Sequence, residues 1–151
     1  MNHANGRQHL ELEQHGSVLV VRLSRPSKRN ALNDGMVDAL ESVFSAIPEG
    51  TGAVVLQGAG EHFSAGLDLS ELTERDAMQG LMHSRMWHRA LDRVQFGTVP
   101  VVAALHGAVI GGGLELAASS HIRVADRSAY YALPEGRRGF AISSRSAPPR
   151  W

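Results

Sequence analysis

The sequence predicts an α/β or α+β fold on a mixed sheet, and three observations predict it. Apolar runs of strand length alternate with segments of helical period. A hairpin pattern opens the chain, so antiparallel pairing is expected beside parallel pairing. Glycine-bearing loops follow two of the buried runs, as in connections that leave a sheet edge.

Each element has its own signal. Leu10-Glu11-Leu12-Glu13 alternates apolar and charged residues, as a half-buried strand does. Gln14-His15-Gly16 reads as a turn, and Ser17 to Leu23 as the second strand of a hairpin. Ser24 to Asn30 has loop chemistry. Asn33 is a fitting N-cap with Asp34 in the first turn, and Met36, Val37, Leu40, Val43, Phe44 and Ile47 recur at helical spacing. Pro48 and Gly50 end that helix.

Ala53 to Leu56 is a buried strand, and Gln57 to Leu69 a loop with three glycines. From Asp76 to Val94 a helix carries Met78, Leu81, Met82, Met86, Ala90, Leu91 and Val94 on one face. Its methionines read as core filler. Pro100 blocks helical continuation. Val101 to Leu105 is a further strand, His106 to Gly113 a glycine-rich loop, and Leu114 to Ser119 the helix it feeds. Ile122, Val124 and Ala125 give another strand, with Tyr130 to Leu133 expected to pair beside it.

Composition narrows the function. The 151 residues suit one domain, which buries roughly two-thirds of its unfolded surface. Formal net charge is zero, so nothing global favours nucleic acid or an anionic membrane as partner. The absence of cysteine excludes disulfides and thiolate chemistry. No histidine pair has metal-ligand spacing, so no metal site is expected. Met1 to His9 is polar and unlike a signal peptide, and Val99 to Leu105 is too short to span a bilayer. A cytoplasmic location is the default expectation.

Two loops carry the candidate chemistry. In His106-Gly107-Ala108-Val109-Ile110-Gly111-Gly112-Gly113-Leu114-Glu115, a buried strand runs through glycines into a helix. Such a turn offers unpaired N–H groups to a phosphate or a developing oxyanion. A tight structural corner explains the same residues. The spacing of Gly107, Gly111 and Gly113 also copies a dinucleotide-binding turn. That reading needs the turn after the first strand and a Tyr-x-x-x-Lys, whereas Lys28, the only lysine, lies upstream. No Gly-Lys-Ser/Thr exists for a P-loop.

The second loop is Glu61-His62-Phe63-Ser64-Ala65-Gly66-Leu67-Asp68-Leu69. Two glycine loops after two buried strands can aim two backbone N–H groups at one carbonyl oxygen. Glu115, in a helix's first turn, and Glu135, after Leu133-Pro134, are candidate acid/base groups. A carboxylate at a helix start also simply satisfies the helix dipole.

Four motifs, Pro26-x-x-x-Asn30-Ala31-Leu32, Phe63-Ser64-Ala65-Gly66-Leu67-Asp68, Gly107-x3-Gly111-Gly112-Gly113-Leu114-Glu115 and Pro134-Glu135, stand in one order. In that order and spacing they resemble the crotonase superfamily of enoyl-CoA hydratases and isomerases, over about Leu10 to Gly139. The resemblance implies a spiral of repeated ββα units and a coenzyme A thioester as substrate, with no separate cofactor. It implies an oxyanion hole from the amides of Leu67 and Gly112, and Glu115 and Glu135 as catalytic carboxylates. Lys28, Arg29, Ala31, Ala65, Gly66, Asp68 and Gly111 would lie against substrate or coenzyme A.

The implied reaction is reversible addition of water to a 2-enoyl-CoA. An isomerase using Glu135 alone, or an inactive fragment that only binds the thioester, are the alternatives. Homotrimers or hexamers are expected of the full-length family. The organisation expected here is a flexible segment over 1–9, a partial core over 10–140 and an irregular tail over 141–151. In that tail, Ser, Arg and Pro make up seven of the ten residues after Ala141. Family chains run to about twice this length, so the expectation is a truncated or frameshifted product.

Overall fold

The computed structural model describes residues 9–71 and 76–134. Expectations for residues 1–8, for Glu135 and for the tail beyond Phe140 lie outside them. Strands β1 (Leu10–His15) and β2 (Val18–Leu23) form the expected antiparallel hairpin. Gln14 and His15 belong to β1, and the turn is Gly16-Ser17. Gly16 sits at φ +57°, which tight hairpin turns demand and glycine adopts freely.

Strands β3 (Ala53–Gly58), β4 (Val101–Leu105) and β6 (Ile122–Ala125) then add in parallel, in the order β1-β2-β3-β4-β6. The mixed sheet is therefore as expected. Helix α1 (Asp34–Ser45) begins where Asn33 accepts a hydrogen bond from the Met36 amide, the cap read from sequence. Helix α2 (Ala77–Gln95) has a reciprocal Asp76–Gln79 capping box. Helix α3 spans Gly112–Ser119, two residues earlier than expected. Val21, Leu23, Val54, Leu56, Val101 and Ala103 from the sheet, with Met36, Val37 and Val94 from the helices, are fully buried.

Three expectations fail for tertiary reasons. Leu12 is 53% exposed, because β1 is the edge strand and only Leu10 of its residues joins the core. Met78 and Met82 are each 64% exposed and fill no core. Helix α2 has 19 residues and its partner α1 has 12, so roughly 28 Å of helix lies on roughly 18 Å. The first turns overhang, and only the stripe from Met86 onward packs. Finally, β7 (Tyr130–Ala132) pairs with the short strand β5 (Ala108–Ile110), not with β6. Asp126 accepts from the Ser128 amide at 2.6 Å, and this turn leads the chain away from β6.

That turn reveals the plan of the fold. After each of β2, β3, β4 and β6, the chain runs a few residues beside the corresponding segment of its neighbour. Leu32 bridges Leu67, Ser64 bridges Val109, and β5 pairs β7, all in parallel. A second row thus repeats the strand order of the main sheet at its C-terminal edge, where ligands of parallel sheets bind.

Asn30 locks this second row. It is fully buried and holds a left-handed φ of +53°. Its Oδ1 accepts from the Arg25 amide at 2.8 Å, and its Nδ2 donates to the carbonyls of Ala59 and His62. Its own carbonyl accepts from Ser64 Oγ. Asn30→Ala should cost roughly 3–5 kcal/mol, because a buried amide and two carbonyls lose their partner. Asn30→Gly should cost about 1 kcal/mol less, since only the backbone strain is relieved. Urea denaturation midpoints of the two variants measure both terms.

Candidate active site

Three of the expected segments meet at one place. The Ala65 amide donates to the Arg29 carbonyl at 2.9 Å, Leu32 to Gly66 at 2.7 Å, and Asp68 to Leu32 at 2.9 Å. On the other side Ser64 donates to Ala108 and Ile110 donates back to Ser64, both at 3.0 Å. Gly111 donates to Ala132 at 2.8 Å. Among the hydrogen bonds of the described residues, none is donated by the amides of Leu67 or Gly112.

Glycine makes this approach possible. Gly66 has φ +91°, and a Cβ built on it would stand 2.6 Å from the Ile110 carbonyl oxygen and 3.4 Å from the Gly112 nitrogen. Gly113 faces Ser64 so closely that a Cβ there would stand 2.7 Å from its carbonyl oxygen. Side chains at either position would push the two loops apart. The Leu67 turn therefore lies beside the N-terminus of α3, where the first helical amides have no intrahelical acceptor.

Among the other expected contact residues, Ala31 and Gly66 are buried, and Lys28 and Arg29 are exposed. Glu115 is exposed in the first turn of α3, its amide bonded to the Gly111 carbonyl at 3.0 Å. Glu135, its expected counterpart, lies outside the described residues. Among the described residues, no cluster of three or more His, Asp or Glu side chains could hold a metal, and no helix is long and apolar enough to cross a membrane.

Asp68 was expected against the ligand. Its side chain is 6% exposed and engaged on both oxygens by the protein. Arg25 Nη2 donates to Oδ2 at 2.9 Å, and the Ser70 hydroxyl and amide donate to Oδ1 at 2.6 and 3.1 Å. Arg25 also donates to the Ala31 carbonyl at 2.8 Å, so one guanidinium ties both loops together. The Ser70 hydroxyl first, then Arg25 and the Ser70 amide, lower the Asp68 carboxyl to about 2, against an opposing desolvation.

The profile of the enoyl-CoA hydratase/isomerase family matches residues 13–145. The chain belongs to that family. Its crotonase-like fold is shared by a crystal structure from Rhodopseudomonas palustris CGA009, provisionally assigned as an enoyl-CoA hydratase. The two are 60% identical with a TM-score of 0.87, over 89% of this chain and 52% of that one. Short-chain-enoyl-CoA hydratase of Clostridium acetobutylicum is 37% identical over 127 residues, 82% of this chain and 49% of its own length. The mitochondrial Delta(3,5)-Delta(2,4)-dienoyl-CoA isomerase of Mus musculus is 32% identical over 82% of this chain and 42% of its own. The chain thus spans about half the length of the curated relatives it matches.

Sequence reasoning missed two groups at this crotonase-type site. Arg25 stands one residue before the Pro26 motif, in a segment whose composition signals only a loop. Trp87 belongs to the packed stripe of α2, four residues after His83, where helical period signals packing alone. A carboxyl with a lowered native pKa stabilises the fold above its unfolded value near 4, and that contribution fades as pH falls toward about 2. Between pH 4 and 2 this chain should therefore lose more stability than its Asp68→Asn variant, by on the order of 2 kcal/mol. Denaturation midpoints at stepped pH give the difference directly.

Proposed function

We propose that the chain carries the catalytic half-site of an enoyl-CoA hydratase acting on a 2-enoyl-CoA. Its thioester oxygen would accept from the amides of Leu67 and Gly112. The observation that carries this reading is the packing of Gly66 against Gly112. It sets the turn that carries Leu67 beside the first residue of α3, and among the described residues neither the Leu67 nor the Gly112 amide donates a hydrogen bond, which supports this reading. Preorganised donors there favour the oxygen as it gains charge, without any reordering of water.

The chemistry follows from that polarisation. With electron density drawn toward the oxygen, the β-carbon becomes electrophilic. Water held by Glu115 and Glu135 adds its oxygen to the β-carbon, and the C=C electron pair moves through the α-carbon into an enolate. One glutamate takes the proton lost by the water, and a glutamate returns a proton to the α-carbon. The step uses the substrate, a water, the two carboxylates and the two amide donors. Coenzyme A is part of the substrate, with Lys28 and Arg29 exposed beside the loop that would receive it. A cytoplasmic, trimeric or hexameric enzyme is the corresponding assembly.

Isomerisation is the second reading, favoured by the likeness to the mouse dienoyl-CoA isomerase. It would move a proton along the acyl chain with Glu135 alone. Glu115→Gln should lower crotonyl-CoA hydration by about 10²–10⁴-fold while sparing isomerisation, whereas Glu135→Gln should suppress both. Loss of the enoyl thioester's ultraviolet absorbance reports hydration. Unchanged hydration by Glu115→Gln rejects the two-carboxylate mechanism. A folded chain that binds crotonyl-CoA but neither hydrates nor isomerises it would be the inactive fragment.

A further inference from the structure

We propose that Trp87 sets the acyl-chain length of this site, its indole closing the apolar space behind Gly112. The inference rests on the acyl-CoA reading above and extends it to substrate size.

The ring's position carries the argument. A Cβ built on Gly112 would stand 2.7 Å from Cζ3 and 2.8 Å from Cη2 of Trp87. The benzo edge therefore lies directly against the glycine whose amide would hold the thioester. Leu32, whose backbone bridges Leu67, brings its Cδ1 within 3.8 Å of the same point. Both side chains thus border Gly112, and both line the small void next to them.

Next to them is a void of about 10 Å³, whose lining includes Leu32, Val37, Leu40, Trp87, Leu91 and Leu116. It lies at the seam of α1, α2 and α3 and has an apolar lining. Its volume holds about one water and no run of methylenes. With the indole in place, an acyl chain directed from Gly112 toward the seam stops within a few carbons. With the indole removed, the void and the space of the ring join into one apolar channel.

The ring is also braced at its far end. Trp87 Nε1 lies 3.2 Å from His83 Nε2, which is 2.8 Å from Asp34 Oδ1. A protonated Nε2 donates to Asp34, and an unprotonated one accepts from Trp87, so the atom serves one partner at a time. In either state His83 stands against the indole, its ring centroid 6.2 Å away. His83 is a positioning residue for that wall.

The test is the chain-length profile of the whole chain and of Trp87→Ala and Trp87→Phe. Straight 2-enoyl-CoAs of four, eight and twelve carbons are used, with binding and hydration both measured. The unmodified chain should favour four carbons. Trp87→Ala should shift the eight-to-four ratio of kcat/KM at least about tenfold toward eight, since each newly buried methylene is worth about fourfold. Trp87→Phe, which keeps an aromatic core residue, should shift it less in the same direction. A twelve-carbon substrate preferred by the unmodified chain, or a ratio unmoved by a folded Trp87→Phe and Trp87→Ala, overturns the inference while leaving the hydratase reading intact. Failure of the folded chain to bind any of the three thioesters overturns that reading, and this inference with it.

Discussion

Among the described residues, two backbone amides donate no hydrogen bond in a crowded corner where nearly every other polar group is already satisfied. Arg29, Gly66, Ala108 and Leu32 supply carbonyls to the neighbouring amides, and Asn30 absorbs one further amide and two further carbonyls. Buried polar groups without partners cost roughly 1–3 kcal/mol each. Four loop segments can sit together at a sheet edge only when that account is closed. The second row closes it by repeating the strand order of the main sheet, so each loop finds its partner in the loop of the adjacent strand.

The Arg25–Asp68 pair serves the same end. Desolvation offsets much of the attraction within the ion pair itself, and the Ser70 hydrogen bonds tip the balance toward the charged carboxylate. What the pair supplies is position: one guanidinium holds the Ala31 carbonyl of one loop and the Asp68 carboxylate that follows the Gly66-Leu67 turn of the next. Ser70 occupies the other carboxylate oxygen, so no rotation of Asp68 leaves the arrangement intact. The turn is held to its neighbouring loop, and glycine lets it touch α3.

Much of this was legible in the sequence, where the signal was local. The hairpin, the cap at Asn33, the strand-to-helix glycine turn and the motif residues all rest on neighbours within a few positions. What failed depended on distant partners. Met78 and Met82 have the right period, but helical period says nothing about how far the opposing layer extends. Tyr130 to Ala132 has strand composition, but its partner was decided by a turn at Asp126. Arg25 finds its carboxylate 43 residues away, a distance that no local pattern encodes. The carboxylate at Glu115 was legible in position alone, while its proposed counterpart Glu135 lies beyond the described residues.

The two kinds of group at this site respond differently to sequence change. Leu67 and Gly112 would act through main-chain N–H groups, which every residue except proline retains; their placement depends on Gly66 and Gly113, where any Cβ would meet a backbone oxygen. Such a constraint is rigid, because backbone cannot yield as a side-chain tip can. Trp87 stands opposite as a side chain on a helix, meeting Gly112 through ring carbons and held by one histidine. Replacing it alters the room behind the glycine while leaving the loop-to-helix contact of Gly66 and Gly113 untouched. On the proposed reading, activation of the carbonyl resides in backbone that cannot vary, and substrate size in a side chain that can.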